Sequence, residues 1–212
     1  MENMRAHFSD TEIKKLLKEN FMILYDTREQ VNEHVLNEFD TMNVKYKKQK
    51  IDEGDYTAII TKRPDMGIMR DIYFPVGVER KNSVDELAGN LAEKCDTRDD
   101  IRLERELIRA KAKGIKIFMV IEDPNGLENI RTGNYRSQYG AKAFIGKLSS
   151  LQDRYIHNTI FTSNLYSGYH IYRLLYYSVR NFLKDGQINY SVAEMQAKDI
   201  LAEGEAENVR KN

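Results

Sequence analysis

Asp55, Glu79 and Lys81 are the residues whose types and spacing could do chemistry in this chain. Asp55 follows Gly54 in a turn, at the start of an extended run, and Glu79 and Lys81 stand at alternate positions in VERKNSVD, where an apolar run meets a helix start. Side chains two apart in a strand share a face, so Glu79 and Lys81 project together while Arg80 points away. Two carboxylates can hold a hard divalent cation through oxygen. An ammonium beside them can orient or help deprotonate an attacking water and can offset charge building on a phosphate. The pattern therefore suits metal-assisted hydrolysis of a phosphodiester. Mg2+ or Mn2+ is the expected ion, because hard oxygen ligands without imidazole or thiolate do not favour zinc.

Composition narrows the alternatives. The single cysteine, Cys95, excludes internal disulfides and thiolate zinc clusters, and four scattered histidines lack the pairing of a histidine metal site. The 33 basic and 33 acidic residues cancel, so a nucleic-acid partner must be held by local charge and not by an overall field. No apolar run approaches the roughly 20 residues that span a bilayer, and MENMRAHFSD has no hydrophobic signal core. A soluble, cytoplasmic protein with no membrane partner is expected.

The elements that must position the three residues follow from hydrophobic period and turn chemistry. Residues 1–20 form an N-terminal extension in which Ser9 and Glu12 make a capping box before Ile13, Leu16 and Leu17 at helical spacing. FMILY (Phe21 to Tyr25) reads as a strand buried on both faces, ending at Asp26, and Thr27 with Gln30 predicts a helix start immediately after it. Three further strands are expected over 44–51, 56–61 and 72–78 as an antiparallel meander, the last two joined by the hairpin TKRPDMGIMRD. Ser83 and Glu86 cap a helix bearing Asp85, and a strongly charged helix is predicted over 98–113, stopped by Gly114. IKIFMVI (115–121) is a buried strand ending in a turn at 122–126; helix 141–155, strand 158–162 and a long helix over 165–183 follow. The expected organisation is an α/β domain over 21–184, a central mixed β-sheet flanked by helices, with a polar tail over 185–212.

Gly54-Asp55, then Glu79-Arg80-Lys81 and Asp85, resemble the GD...ERKxxxD signature of XPF-type structure-specific DNA endonucleases, a branch of the restriction-endonuclease-like PD-(D/E)xK superfamily. YDTRE (Tyr25 to Glu29) is similar to that family's strand-ending DxRE, and the likeness spans roughly Phe21 to Leu183. The resemblance implies a restriction-endonuclease-like fold and cleavage of branched or distorted DNA in repair, recombination or replication. Asp55 and Glu79 would be metal ligands, with the Arg80 carbonyl as a further one, and Lys81 would act at the nucleophile. Asp26, Arg28, Arg80 and Asp85 would belong to the surrounding site. A homodimer paired through a helical face is a further expectation, as is a stand-alone form like those of phages and prophages. The tail is too short and too charged for the tandem helix-hairpin-helix module that such nucleases often carry. The alternative is a non-catalytic DNA-binding or scaffold subunit that keeps the fold.

Each feature also has a plainer reading. Asp85 suits the first turn of a helix whatever its function, Asp26 and Glu29 suit a helix start, and Glu79 with Lys81 could be a structural ion pair. Arg98, Arg102, Arg105 and Arg109 recur every three or four residues on one side of the charged helix, as a solvated face laced by opposite charges or as a phosphate-contacting edge.

Overall fold

A computed structural model describes residues 7–92, 94–95 and 98–185, with the backbone alone for 94–95 and 98–101. The polar tail expected over 185–212 therefore lies almost wholly outside the described residues. A seven-stranded mixed sheet runs in the order β2 (Tyr46–Lys48), β1 (Phe21–Tyr25), β3 (Tyr56–Ile60), β5 (Val76–Lys81), β8 (Lys116–Ile121) and β9 (Ile156–Phe161), with β4 (Ile72–Tyr73) paired to β3. β6 (Lys94–Cys95) and β7 (Arg98–Ile101) form a separate two-stranded ladder. No helix among the described residues is long and apolar enough to cross a membrane.

Helices cover both faces, as the strands' near-continuous apolar runs require. On one face α1 (Asp10–Glu19), α2 (Glu33–Thr41) and α7 (Ser167–Asp185) bury Leu16, Phe39, Ile171 and Leu175 against β1, β3 and β5. On the other, α3 (Val84–Ala92), α4 (Arg102–Ala112), α5 (Gly126–Thr132) and α6 (Ala141–Arg154) bury Leu87, Leu107, Ile130 and Phe144 against β8 and its neighbours. The Ser9–Glu12 capping box forms in full, with Ser9 N donating to Glu12 Oε2 at 2.8 Å and Glu12 N to Ser9 Oγ at 3.3 Å.

Five expectations change. The charged helix predicted over 98–113 begins only at Arg102, residues 98–101 forming the strand β7 instead. The helix predicted from Thr27 starts at Glu33, because Asp26 takes the Arg28 N–H and Glu29 is drawn to Arg80, so neither residue is left to build a first turn. β2 is not part of a meander: α2 carries the chain across the sheet face, and β2 returns parallel to β1 on its outer side. The strand expected over 72–78 breaks at Pro75, which has no N–H to donate, and resumes as β5 through Lys81. Segment 122–126 leads directly into α5, not into a free turn, and Gly126 is needed there because a Cβ would lie 2.4 Å from a ring carbon of Phe161.

The hairpin Thr61 to Asp71 folds back on the core. Met66 and Ile68 are buried, and Arg63 pairs with Glu19 and Asp65. It leaves the end of β3 opposite Asp55, about 17 Å away at strand rise, so it does not reach the residues of interest.

Candidate active site

Asp55, Glu79 and Lys81 meet where β3 begins and β5 ends. Gly54 adopts φ +85°, a left-handed conformation open to glycine, and lies against the Val78 carbonyl, where a Cβ would sit 3.3 Å from the oxygen. This turn delivers Asp55 onto the flank of β5: its N–H donates to Val78 O at 2.9 Å, and its Oδ2 accepts the Arg80 N–H at 2.8 Å. Glu79 and Lys81 share one face, as strand alternation requires, and Lys81 Nζ donates to Glu79 Oε1 at 2.8 Å while lying 3.5 Å from Glu86 Oε1. All six residues of β5 are buried, its three charged ones included. The cleft above them has a volume of about 220 Å³, and Asp55, Glu79, Lys81, Arg28 and Arg102 line it.

Arg80 points through the other face, to the α2 and α7 side. Its Nε and Nη2 donate to Glu122 at 2.7 and 2.8 Å, and its Nη1 donates to Glu29 at 2.6 Å. Glu122 also lies 2.7 Å from His34 Nε2. Burial pushes the Glu122 carboxyl up, but hydrogen bonds from Arg80 and His34 outweigh it, and the group rests below the usual carboxylate range. Arg80 is thus a buried brace across the sheet and carries Glu29 to the edge of the cleft, which Glu29 also lines.

The electrostatics of the cleft are unequal. Burial pushes the Asp55 carboxyl up, the neighbouring Glu79 and Glu29 carboxylates push it further, and it lies well above the ordinary value despite the Arg80 N–H and Lys81. For Lys81 burial acts to lower the pKa, but Glu79, then Asp55 and Glu86, more than offset it, so the group is held as an ammonium more firmly than a free lysine.

Other residues singled out from the sequence sit differently. Asp26 does not line the cleft. Its fully buried carboxylate accepts Arg28 N at 2.8 Å and Arg28 Nε at 2.6 Å on Oδ1, and Ile51 N at 2.7 Å on Oδ2, tying the end of β1 to the segment that leads into Gly54. Asp85 turns away from the cleft: its carboxylate accepts the Arg136 N–H at 2.7 Å, the role of a first-turn acid bracing a neighbouring loop. Arg28 is presented at the cleft by Asp26, and Arg102 lines it while pairing with Glu106 at 3.3 Å. Arg105 is exposed on α4 without lining the cleft, and the side chain of Arg98 lies outside the described residues. Glu53, Glu86 and Glu122 were not singled out; for Glu86 the signal was its capping position, and for Glu122 its place at the end of β8 beside the end of β5.

Asp26→Asn should lower stability by about 2 kcal/mol in urea denaturation at pH 7, since charge-assisted bonds are lost and an amide must face a donor. Burial raises the Asp26 carboxyl, but the hydrogen bonds from Arg28 and Ile51 prevail and depress it. A depressed acid stabilises the fold above its unfolded pKa of about 3.9 and loses that contribution as pH falls through the lower folded value. The difference between wild type and Asp26→Asn should therefore narrow on acidification below that range; a constant difference would contradict this role.

The fit to a divalent cation rests on the donor set. Two carboxylates converge, one of them raised in pKa by the other, and a cation between them would relieve that repulsion. No group of three or more His, Cys, Asp or Glu forms a metal cage among the described residues. An ion such as Mg2+, which keeps several waters, takes one or two protein carboxylates with substrate phosphate, the number that Asp55 and Glu79 provide.

Residues 25–174 match the ERCC4 domain. The chain belongs to the ERCC4 domain family. No curated protein sequence matches it. Among solved structures, XPF from Aeropyrum pernix is similar at a TM-score of 0.51 and 18% identity, over 76% of this chain and 66% of that one. The two share the mixed sheet with helices on both faces, and the resemblance to an XPF-type nuclease domain holds at the level of family and fold. The ERCC4 chain thus spans just under two thirds of the length of that protein.

Proposed function

We propose that this ERCC4 domain is a metal-dependent DNA endonuclease that hydrolyses phosphodiester bonds in branched or structured DNA, with Mg2+ or Mn2+ as its ion. The observation that carries the reading is the convergence of Asp55, Glu79 and Lys81 on one cleft from two strands joined by direct hydrogen bonds. A divalent ion held by Asp55 and Glu79 would polarise the scissile phosphate and lower the pKa of a bound water.

The chain's own groups supply the rest. Lys81, whose Nζ lies on Glu79, orients the water and meets charge developing on the phosphate. The Arg80 N–H fixes one oxygen of Asp55, so the carboxylate does not rotate as the reaction proceeds. Arg28 and Arg102 at the cleft rim suit phosphates flanking the cut, and Asp26 and Glu106 hold them in place. Arg80, through Glu122 and Glu29, acts as a positioning residue.

The test is incubation of wild type and Glu79→Gln with labelled forks, flaps, four-way junctions and plain duplex, with and without Mg2+ or Mn2+. Cleavage that needs the ion, favours branched substrates and disappears in Glu79→Gln supports the reading. Binding without cleavage under either ion would indicate a non-catalytic scaffold subunit instead.

A further inference from the structure

Glu53 is a charged side chain that the reaction as described does not use. Its side chain is 3% exposed, yet it lines the cleft two residues before Asp55. Both of its cationic partners address the same oxygen: Arg109 Nε lies 3.0 Å and Lys113 Nζ 3.4 Å from Oε1. Oε2 is buried and has no donor at all. Leaving a charged acceptor buried and unpaired is costly, and a fold retains it where something else completes the bond. The loop cannot easily turn Glu53 elsewhere, because its backbone packs against β5: a Cβ on Gly77 would lie 3.2 Å from the Glu53 carbonyl oxygen.

Glu53 lines the cleft, so the cleft is the side from which a donor can approach its carboxylate. A direct cation on Oε2 is disfavoured by Arg109 and Lys113 on the same carboxylate. A water already bound to a cation is a different matter, since it presents a polarised O–H. We propose that Glu53 is the outer-sphere carboxylate of the site: its free Oε2 accepts a hydrogen bond from a water on the hydrated ion held by Asp55 and Glu79. The proposal rests on the metal-dependent reading above. Arg109 and Lys113 both tie Oε1 to the end of α4, whereas the packing of the loop backbone against β5 sets the direction of Oε2, so the loss of one of the two cations leaves Oε2 where it is. Partners of this kind orient the first shell, and losing one costs about 10–100-fold in metal affinity.

Binding of Mn2+ alone, without DNA, is to be measured by electron paramagnetic resonance and calorimetry on wild type, Glu53→Gln, Arg109→Ala and Glu79→Gln, with thermal melts of each. The expected result is Mn2+ affinity weakened about 10–100-fold in Glu53→Gln. Arg109→Ala keeps Oε2 and should lower the melting temperature while changing affinity less than threefold. Equal Mn2+ affinity in wild type and Glu53→Gln overturns the proposal. Equal losses in Glu53→Gln and Arg109→Ala also overturn it, leaving Glu53 a clamp on α4. Absence of Mn2+ binding to wild type would instead sink the metal-dependent reading itself, an outcome distinct from both. Should Glu53→Gln fail to fold, Glu53→Asp decides: the shortened arm keeps the charge, and undiminished Mn2+ affinity in it counts against the proposal.

Discussion

Replacing Lys81 by methionine should slow single-turnover cleavage of a branched DNA by about 10³-fold at saturating metal, the loss typical when one preorganised charge-stabilising donor is removed. Methionine keeps the length of the side chain and removes the ammonium. The effect should lie in the chemical step, because Lys81 lines the cleft with Glu79 and Asp55, whereas in the proposed mode the cations Arg28 and Arg102 contact the flanking phosphates. Gel-shift affinity in Ca2+, an ion that occupies oxygen sites with a different geometry, should therefore change little. The same substitution strips the counter-charge from two crowded carboxylates. Breaking a buried pair costs about 3–5 kcal/mol, so the ion-free variant should melt well below wild type, and divalent ion should restore much of the difference. A variant that melts normally without ion yet cleaves at the wild-type rate would remove Lys81 from both roles.

Asp55→Asn should have opposite effects on activity and stability. Cleavage should fall below detection, since one of two protein ligands is lost, while the ion-free protein should become more stable at pH 8. The sign follows from the raised carboxyl. Burial, then Glu79 and Glu29, make the fold prefer Asp55 protonated, so its favourable contribution is complete below the unfolded value and is lost as pH rises through the folded one. As pH rises through the folded value, wild type takes on the penalty of a desolvated charge beside its neighbours, and asparagine takes on none. In a domain of this size each kcal/mol is worth about 2–4 °C. Melting curves should show Asp55→Asn above wild type at pH 8 and the gap closing toward pH 4. Adding Mg2+ should raise the wild-type curve and leave the variant unmoved. A variant less stable than wild type at pH 8 would mean that the Arg80 N–H to Asp55 bond outweighs the charge effect.

The meeting of Asp55, Glu79 and Lys81 was legible because alternation in a strand needs no tertiary knowledge. Glu79 and Lys81 share a face wherever β5 lies, and Gly54 marks the turn that sends Asp55 to meet them. The charge pattern said less about the first turn after β1. Thr27 and Gln30 have the spacing of a helix cap, but Asp26 and Glu29 find stronger partners in Arg28 and Arg80, and the latter is 51 residues away in sequence. No local pattern contains that competition. The parallel placement of β2 was hidden for a related reason, since strand order depends on which side α2 packs. Asp85 had a place in the signature, yet its carboxylate faces Arg136 in a loop whose path the sequence does not specify. Glu53 was passed over because an acid in an Asp-Glu-Gly-Asp turn looks solvated, and only its burial against α4 shows otherwise.

β5 pairs with β8 through six consecutive residues, Val76 with Lys116 to Lys81 with Ile121. A slip of one residue would turn Arg80 into the cleft and drive Glu79 and Lys81 among the apolar side chains of α2 and α7, so intermediate alignments carry prohibitive charge burial. On the proposed reading, the site therefore has no loosely assembled form that would cut DNA before the sheet is complete. Amide protons of Glu79 to Lys81 should exchange with solvent only through global unfolding, and a newly made chain should acquire its chemistry in the same step as its fold.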